Sequence, residues 1–138
     1  MKPPTPDAEL PPDRLRHHNP DGEVVWITSS ATVEPDANIT IEPGAQLGVN
    51  VMLSGDTTIA EKAEVGNSVE VINSTLKEGA RVGDSSTVIN STVGERSHIG
   101  QGNDVRDAEI GYDVVSGVGE EITGVIEDEA VIETKIAV

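Results

Sequence analysis

The sequence predicts an all-β protein, a left-handed parallel β-helix solenoid of about six triangular coils that follows a Pro-rich N-terminal arm. Aliphatic residues recur at every fifth or sixth position from Ile41 onward, and three such steps form a repeating unit of 17 or 18 residues. Each step has the length of a short strand and a tight corner, so three steps return the chain to its start. The 138 residues include one tryptophan, one tyrosine and no phenylalanine. A thin interior that repeats in every coil has no room for such rings, which agrees with this composition.

The six-residue spacing also predicts the handedness of the solenoid. This period is typical of the left-handed parallel β-helix, which is an exception to the right-handed crossover rule. Right-handed β-helices have longer and less regular coils with bulkier loops. The sequence contains no insertion long enough for such loops.

The N-terminal segment differs in composition from the rest of the chain. Six of the eight prolines fall in residues 1–20, and the segment is polar and aperiodic. We therefore expect a flexible arm over residues 1–22 and the β-helix over residues 23–138. The first residues, Met-Lys-Pro-Pro-Thr-Pro, contain no apolar run, so no signal peptide is predicted. No stretch approaches 18 apolar residues, so we predict a cytoplasmic protein without a membrane span.

Equivalent positions of the 17-residue unit form columns that are expected to stack from coil to coil. Two inward-pointing aliphatic columns are expected, one of Ile59, Leu76, Val93 and Ile110 and one of Val71, Val88, Val105 and Ile122. A column of mostly small residues comprises Ala63, Ala80, Ser97 and Val114. A column of glycines comprises Gly66, Gly83, Gly100 and Gly117. The glycines suit the backbone angles of a tight corner. Beyond these columns, Ile126, Ile132 and Val138 keep the same step.

The net charge of −16 excludes several classes of partner. Nucleic acid phosphates and anionic membranes would be repelled, and no basic stripe offsets this repulsion. The acidity indicates a solvated, self-repelling surface, and adaptation to high salt is a sharper alternative. Cysteine is absent, so disulfides and thiolate metal sites are excluded. No metal site is predicted, because His17 and His18 diverge in an extended segment and the carboxylate clusters match no calcium loop.

The repeat text resembles a known family. The segment IEPGAQLGVNVMLSGDTTIAEKAEVGNSVEVINSTLKEGARVG is similar to the hexapeptide-repeat β-helix domain of bacterial sugar-nucleotide transferases. The nearest likeness is to the bifunctional N-acetylglucosamine-1-phosphate uridyltransferase/glucosamine-1-phosphate acetyltransferases, whose linker and first coils resemble RLRHHNPDGEVVWITSSATVEPDANITIEPGAQL. The phrase DAEIG at residues 107–111 is also typical of them, and the resemblance covers roughly residues 14–118.

This resemblance implies a homotrimer with parallel axes, acetyl-CoA as a possible cofactor and a nucleotide sugar as a possible ligand. The nucleotidyltransferase half and the Arg-Pro-Gly run of the family's acetyltransferase site are absent, and Tyr112 stands in Gly-Tyr-Asp without the preceding asparagine. The expectation is therefore a trimerisation module that lacks a complete catalytic site. A non-catalytic structural or binding scaffold is the alternative.

His98 is the candidate catalytic residue, because it is the only histidine in the repeat. It precedes the inward-pointing Ile99, so its side chain is expected on the outer surface. Acyltransferases of the resembling fold place a histidine at a subunit interface as general base for a hydroxyl or an amine. The alternative is an exposed or interface-filling histidine. One histidine per chain cannot supply the three that the zinc-dependent carbonic anhydrases of this fold need, so no metal role is expected.

Three polar triplets form a further ladder, namely Asp56-Thr57-Thr58, Asn73-Ser74-Thr75 and Asn90-Ser91-Thr92. Such a ladder can be structural, with side chains bonded along the stack. An ice-binding face made of threonines is the remote alternative, although Glu109 ends the column.

Overall fold

The structure is a computed structural model, and it describes residues 14–19, 24–28, 30–34 and 37–132. Within these ranges the chain is all β, with eighteen strands and no helix. Successive strands wind into a solenoid of about six coils, so the predicted left-handed parallel β-helix is confirmed.

Most strands are only two to four residues long, because a corner follows each of them. In chain order the strands are β1 (Arg14–His18), β2 (Val24–Thr28), β3 (Thr32–Val33), β4 (Asn38–Ile41), β5 (Gln46–Leu47), β6 (Met52–Ser54), β7 (Asp56–Ile59), β8 (Glu64–Val65), β9 (Glu70–Ile72), β10 (Thr75–Leu76), β11 (Arg81–Val82), β12 (Thr87–Ile89), β13 (Thr92–Val93), β14 (His98–Ile99), β15 (Asp104–Ile110), β16 (Val115–Ser116), β17 (Glu121–Ile126) and β18 (Val131–Ile132).

The strands of the solenoid line three faces. Face A holds β3, β6, β9, β12 and the first halves of β15 and β17, and face B holds β4, β7, β10, β13 and the second halves of β15 and β17. Because β15 and β17 continue around a corner, faces A and B form one ten-stranded sheet. Face C is the six-stranded sheet of β5, β8, β11, β14, β16 and β18. Coil 1 comprises β3–β5, coil 2 β6–β8, coil 3 β9–β11, coil 4 β12–β14, coil 5 β15–β16 and coil 6 β17–β18.

The predicted aliphatic columns are confirmed by the parallel register. Leu76 pairs with Ile59 on one side and Val93 on the other, and Val88 lies between Val71 and Val105 in the same way. These side chains are fully buried, so each coil contributes its aliphatic residues to one continuous interior. Burial of this stacked aliphatic surface is the main stabilising contribution to the solenoid.

The glycine column lies where predicted, but the reason given for it is wrong. The left-handed backbone conformation occurs at other corner positions, such as Gly79 and Gly102, while Gly66, Gly83 and Gly100 do not adopt it. A Cβ on Gly83 would instead lie 2.7 Å from the carbonyl carbon of Gly100 in the next coil. Glycine is required there because neighbouring coils approach too closely for any side chain.

The last coil is shorter than the repeat predicts. The pairing of β15 with β17 shifts between Val105 and Ala108, so Ile110 pairs with Ile126, sixteen residues away. Ile126 and Ile132 nevertheless pack against the core, as their step predicts. Val138 lies outside the described residues.

A small antiparallel pair, β1 with β2, precedes the first coil. The buried Asn19, which follows β1, uses its side-chain amide to bond both backbone groups of Ile41, each at 2.8 Å. His17 Nε2 bonds the carbonyl oxygen of Ile39 at 2.9 Å. Asn19 and His17 thus occupy the free edge of coil 1 on face B. Residues 1–13 and 20–23, which make up most of the expected arm, lie outside the described residues, so the boundary at residues 22 and 23 stays a prediction.

Candidate functional site

His98 lies on β14 and points outward from face C, as the sequence predicts for the residue before Ile99. In the parallel register it stands between Arg81 of coil 3 and Val115 of coil 5. Arg81 is ion-paired, with its Nε 2.7 Å from Glu64 Oε2. The outward column of face C is therefore charged on one side of His98 and apolar on the other.

A depression of about 380 Å³ runs along face C beside His98. Gly66, Gly83 and Gly100 of the glycine column line it. Arg81 and His98 form one wall, and Asp84 contributes to the other. His98 therefore lies beside an open depression that several coils of face C line together.

The hydrogen-bond ladder of face C is interrupted beside His98. In the other coils the column glycine donates its amide to a backbone carbonyl one coil further on, as Gly83 does to Ile99. At Gly100 the amide instead donates to Ser116 Oγ at 2.9 Å. Strands β14 and β16 correspondingly pair only at His98 and Val115. The side chain of Ser116 therefore replaces a backbone acceptor in the strand that carries His98.

Ser116 is part of a buried polar cluster that the sequence analysis did not identify. Asn103 Nδ2 donates to Ser116 Oγ at 2.6 Å, and Asn103 Oδ1 accepts the amide of Glu120 at 2.7 Å. Both side chains are buried in an interior that is otherwise largely aliphatic. The signal was present in the repeat, because Ser116 stands in the column of Val82 and Ile99.

The predicted polar ladder forms on face B. Its inward residues Thr57, Ser74 and Ser91 are buried, and Ser91 donates its amide to Ser74 Oγ at 3.1 Å. Thr58 and Thr92 point outward on either side of Thr75 in register with it. The structural role of the ladder is therefore confirmed for its buried hydroxyls, while ice binding by the outward threonines stays a prediction.

Four of the five lysine and arginine side chains between residues 37 and 132 are in ion pairs, the exception being Lys62. Arg96 makes two contacts with neighbouring side chains. Its Nε lies 2.9 Å from Asp113 Oδ1, and its guanidinium lies over the ring of Tyr112. The hydrogen bond and the charge of Asp113 raise the pKa of Arg96 above its usual value. This surface therefore offers little unpaired positive charge to an anionic ligand.

Among the described residues, no group of histidine, aspartate and glutamate side chains could hold a metal ion. The ranges that the structure describes also contain no helix able to cross a membrane.

Three valines near the end of the described chain expose much of their surface at outward positions. The exposed fraction is 49% for Val115, 70% for Val118 and 67% for Val131. Val115 and Val131 are direct neighbours in register on face C, and Val118 follows the same corner. We refer to these three residues as the valine patch.

The chain is similar to a known protein family and to several solved structures. The GMPPB C-terminal domain family matches residues 23–138, which is most of the chain. No curated protein matches the sequence. The hexapeptide transferase family protein from Anaplasma phagocytophilum has 15% identity and a TM-score of 0.56, with 80% of this chain and 71% of that chain covered.

Two acetyltransferase structures are similar at a lower TM-score. A mutant of perosamine N-acetyltransferase from Caulobacter crescentus, in complex with CoA and GDP-perosamine, has 21% identity and a TM-score of 0.49, with 78% of this chain and 52% of that chain covered. The acetyltransferase domain of PglB from Neisseria gonorrhoeae, in complex with acetyl coenzyme A, has 20% identity and a TM-score of 0.45, with 76% of this chain and 55% of that chain covered. This chain therefore corresponds to about half the length of each of these proteins.

Proposed function

The chain belongs to the GMPPB C-terminal domain family, and from this premise we propose that it is a homotrimerisation module related to sugar-nucleotide transferases, without a complete catalytic site of its own. The family match confirms the predicted resemblance to the β-helix domains of sugar-nucleotide transferases. The proposal concerns the assembly and the missing catalytic site. The predicted cytoplasmic location stays a prediction.

The valine patch is the observation that carries this proposal. A surface with 25 acidic and 9 basic residues is strongly hydrated, so neighbouring outward valines are a cost unless another chain covers them. A second copy of the same chain is the simplest cover, because closed symmetric assemblies repeat one contact around an axis. The three valines lie on the outer surface, where a contact with another chain would bury them.

The chemistry around His98 supports the absence of a complete catalytic site. Within the described part of the chain, no hydrogen bond holds the imidazole of His98, so no neighbouring group orients it as a base is oriented in an acid–base pair. The nearest cation in its column, Arg81, is already paired with Glu64. Arg81 therefore offers a phosphate-bearing cofactor no unpaired positive charge beside His98.

Light scattering coupled to size exclusion tests the assembly. We expect a mass of three chains for the wild-type protein and a single-chain mass for Val115→Glu/Val131→Glu. The matched control is Thr58→Glu, which adds the same side chain at an outward strand position of face B. A wild-type protein that stays a monomer at low and at high salt would remove the proposal, and so would a double variant that remains a trimer.

Acyl transfer with His98 as general base is the second candidate, and the depression beside His98 favours it. In this reaction His98 accepts the proton of an acceptor hydroxyl or amine, the acceptor oxygen or nitrogen bonds the acyl carbon, and the carbon–sulfur bond of acetyl-CoA breaks. The thiolate that leaves then takes the proton from His98. A nucleotide sugar is the expected acceptor.

Thermal shift measurements distinguish the two candidates. Acyl transfer predicts stabilisation by acetyl-CoA or by a UDP-sugar, and a loss of that response in His98→Ala. If neither compound changes the midpoint of unfolding and His98→Ala behaves as the wild type does, the transferase candidate is excluded and the trimerisation module remains.

A further inference from the structure

A second depression, of about 340 Å³, lies on face B near the shortened last coil. Gly111 contributes to its floor, Lys77 lies at one end and Glu127 at the other. Gly111 donates its amide to the carbonyl oxygen of Ile126, so the depression lies on the part of coils 5 and 6 that follows the shift in register. The outward threonine column also changes there, because Glu109 follows Thr92 in register.

The lining combines several hydrogen-bonding groups with an apolar surface. Thr92 offers a hydroxyl, Glu109 a carboxylate and Lys77 an ammonium, so donors and acceptors face the same space. Val125 also lines the depression. It is 74% exposed, because it follows Glu109 in register at an outward position. The size is at the lower end of the range for small-molecule sites.

The charge of the lining restricts the ligand. Glu109, Glu127 and Asp128 line the depression, and the only cation among its lining residues is Lys77, whose Nζ lies 3.7 Å from Glu95. Phosphate and pyrophosphate groups would be repelled by this arrangement. Adjacent hydroxyl groups, by contrast, can donate to the carboxylates and accept from Lys77 and Thr92. The C–H face of a sugar ring can cover Val125.

We infer that this depression is a binding site for a phosphate-free sugar unit, either neutral or carrying an amino group. Glu109 and Thr92 bond the ring hydroxyls, Lys77 bonds a hydroxyl from the opposite end, and Val125 contacts the apolar face of the ring. The site uses face B and coils 3 to 6, so it is separate from the depression beside His98. It also does not depend on the valine patch or on trimer formation.

Titration of the ¹⁵N-labelled protein followed by proton–nitrogen correlation spectra tests the inference. The probes are glucose, glucosamine, N-acetylglucosamine and glucosamine 1-phosphate. We expect saturable shifts at the amides of Thr92, Glu109 and Gly111 with at least one phosphate-free sugar, and weaker shifts with the phosphorylated sugar. Glu109→Thr, which extends the threonine column by one residue, is expected to weaken this binding at least tenfold.

Matched variants separate loss of binding from loss of fold. Glu70→Thr makes the same chemical change at an outward strand position of face A and should leave the titration unchanged. Lys77→Ala, which introduces the residue that Ala60 supplies one coil earlier, should weaken binding several-fold. The inference is overturned if none of the sugars shifts these amides, if Glu109→Thr binds as the wild type does, or if glucosamine 1-phosphate binds more tightly than glucosamine.

Discussion

Asn103 and Ser116 are polar side chains inside a mostly aliphatic solenoid, and each has its hydrogen bonds satisfied. A buried polar group is tolerated when its partners are present and costs free energy when one of them is lost. The repeat places Ser116 in an aliphatic column and Asn103 one coil after Ser86. Their bonds cannot be read from the repeat, because the interrupted ladder at Gly100 depends on how coils 4 and 5 meet.

Replacing Asn103 tests this cluster at the level of one residue. Asn103→Val matches Val51 and Val69 at equivalent positions of earlier coils, so the volume is acceptable there. It removes the acceptor that Asn103 Oδ1 offers to the amide of Glu120 and one of the two donors to Ser116 Oγ, and we expect a loss of about 1–3 kcal/mol in unfolding free energy.

Urea denaturation measures this loss. The control is Gln101→Val, an exposed position of the same coil, which should change the unfolding free energy by less than about 0.5 kcal/mol. Equal stability of the two variants would contradict an energetic role for the cluster.

The elements follow directly from the repeat, because the period of 17 residues fixes which side chains stack. Leu76 lies against Ile59 and Val93 as the column arithmetic requires. The role of the glycine column was not accessible in the same way, since the separation of neighbouring backbones is a property of the folded coils. A pattern of glycines by itself does not distinguish a turn from a close approach.

The glycine column makes a prediction at the level of the element. Gly83→Ala places a Cβ against the backbone of Gly100, so neighbouring coils must separate, and we expect a loss of about 1–3 kcal/mol. Gly102→Ser is the matched control, because Ser85 and Ser68 hold the same left-handed conformation one and two coils earlier. Thermal unfolding should show a clearly lower midpoint for the first variant only. A lower midpoint for Gly102→Ser alone would contradict the conclusion that close approach of neighbouring coils, and not the left-handed conformation, requires glycine in this column.

At the scale of the whole molecule, the stacking of coils also stacks like charges. Glu61, Glu78 and Glu95 occupy equivalent corner positions of successive coils, in a chain whose net charge is −16. Parallel strands lie about 4.8 Å apart, so these carboxylates repel one another at low ionic strength. The acidity was evident from composition, whereas its alignment into columns follows only from the fold.

Salt is therefore expected to stabilise the protein. Raising sodium chloride from about 0.1 M to about 1 M shortens the Debye length from about 10 Å to about 3 Å, so the unfolding midpoint should rise. Glu78→Gln should raise the midpoint at low salt and reduce the gain from added salt, because it removes the central charge of the column. Calorimetric scans of both proteins measure the difference. A midpoint that falls with salt in the wild type would contradict the argument.

The bonds of Asn19 to both backbone groups of Ile41 have a consequence for solubility. The outermost strand of a sheet can recruit a strand from a foreign chain and so begin aggregation. A carboxamide imitates the peptide group that such an intruder would bring, and here it already fills the docking position. Asn19 therefore protects the edge of β4 from pairing with a foreign strand. Its loss would leave this edge open to such pairing while the rest of the solenoid is still folded.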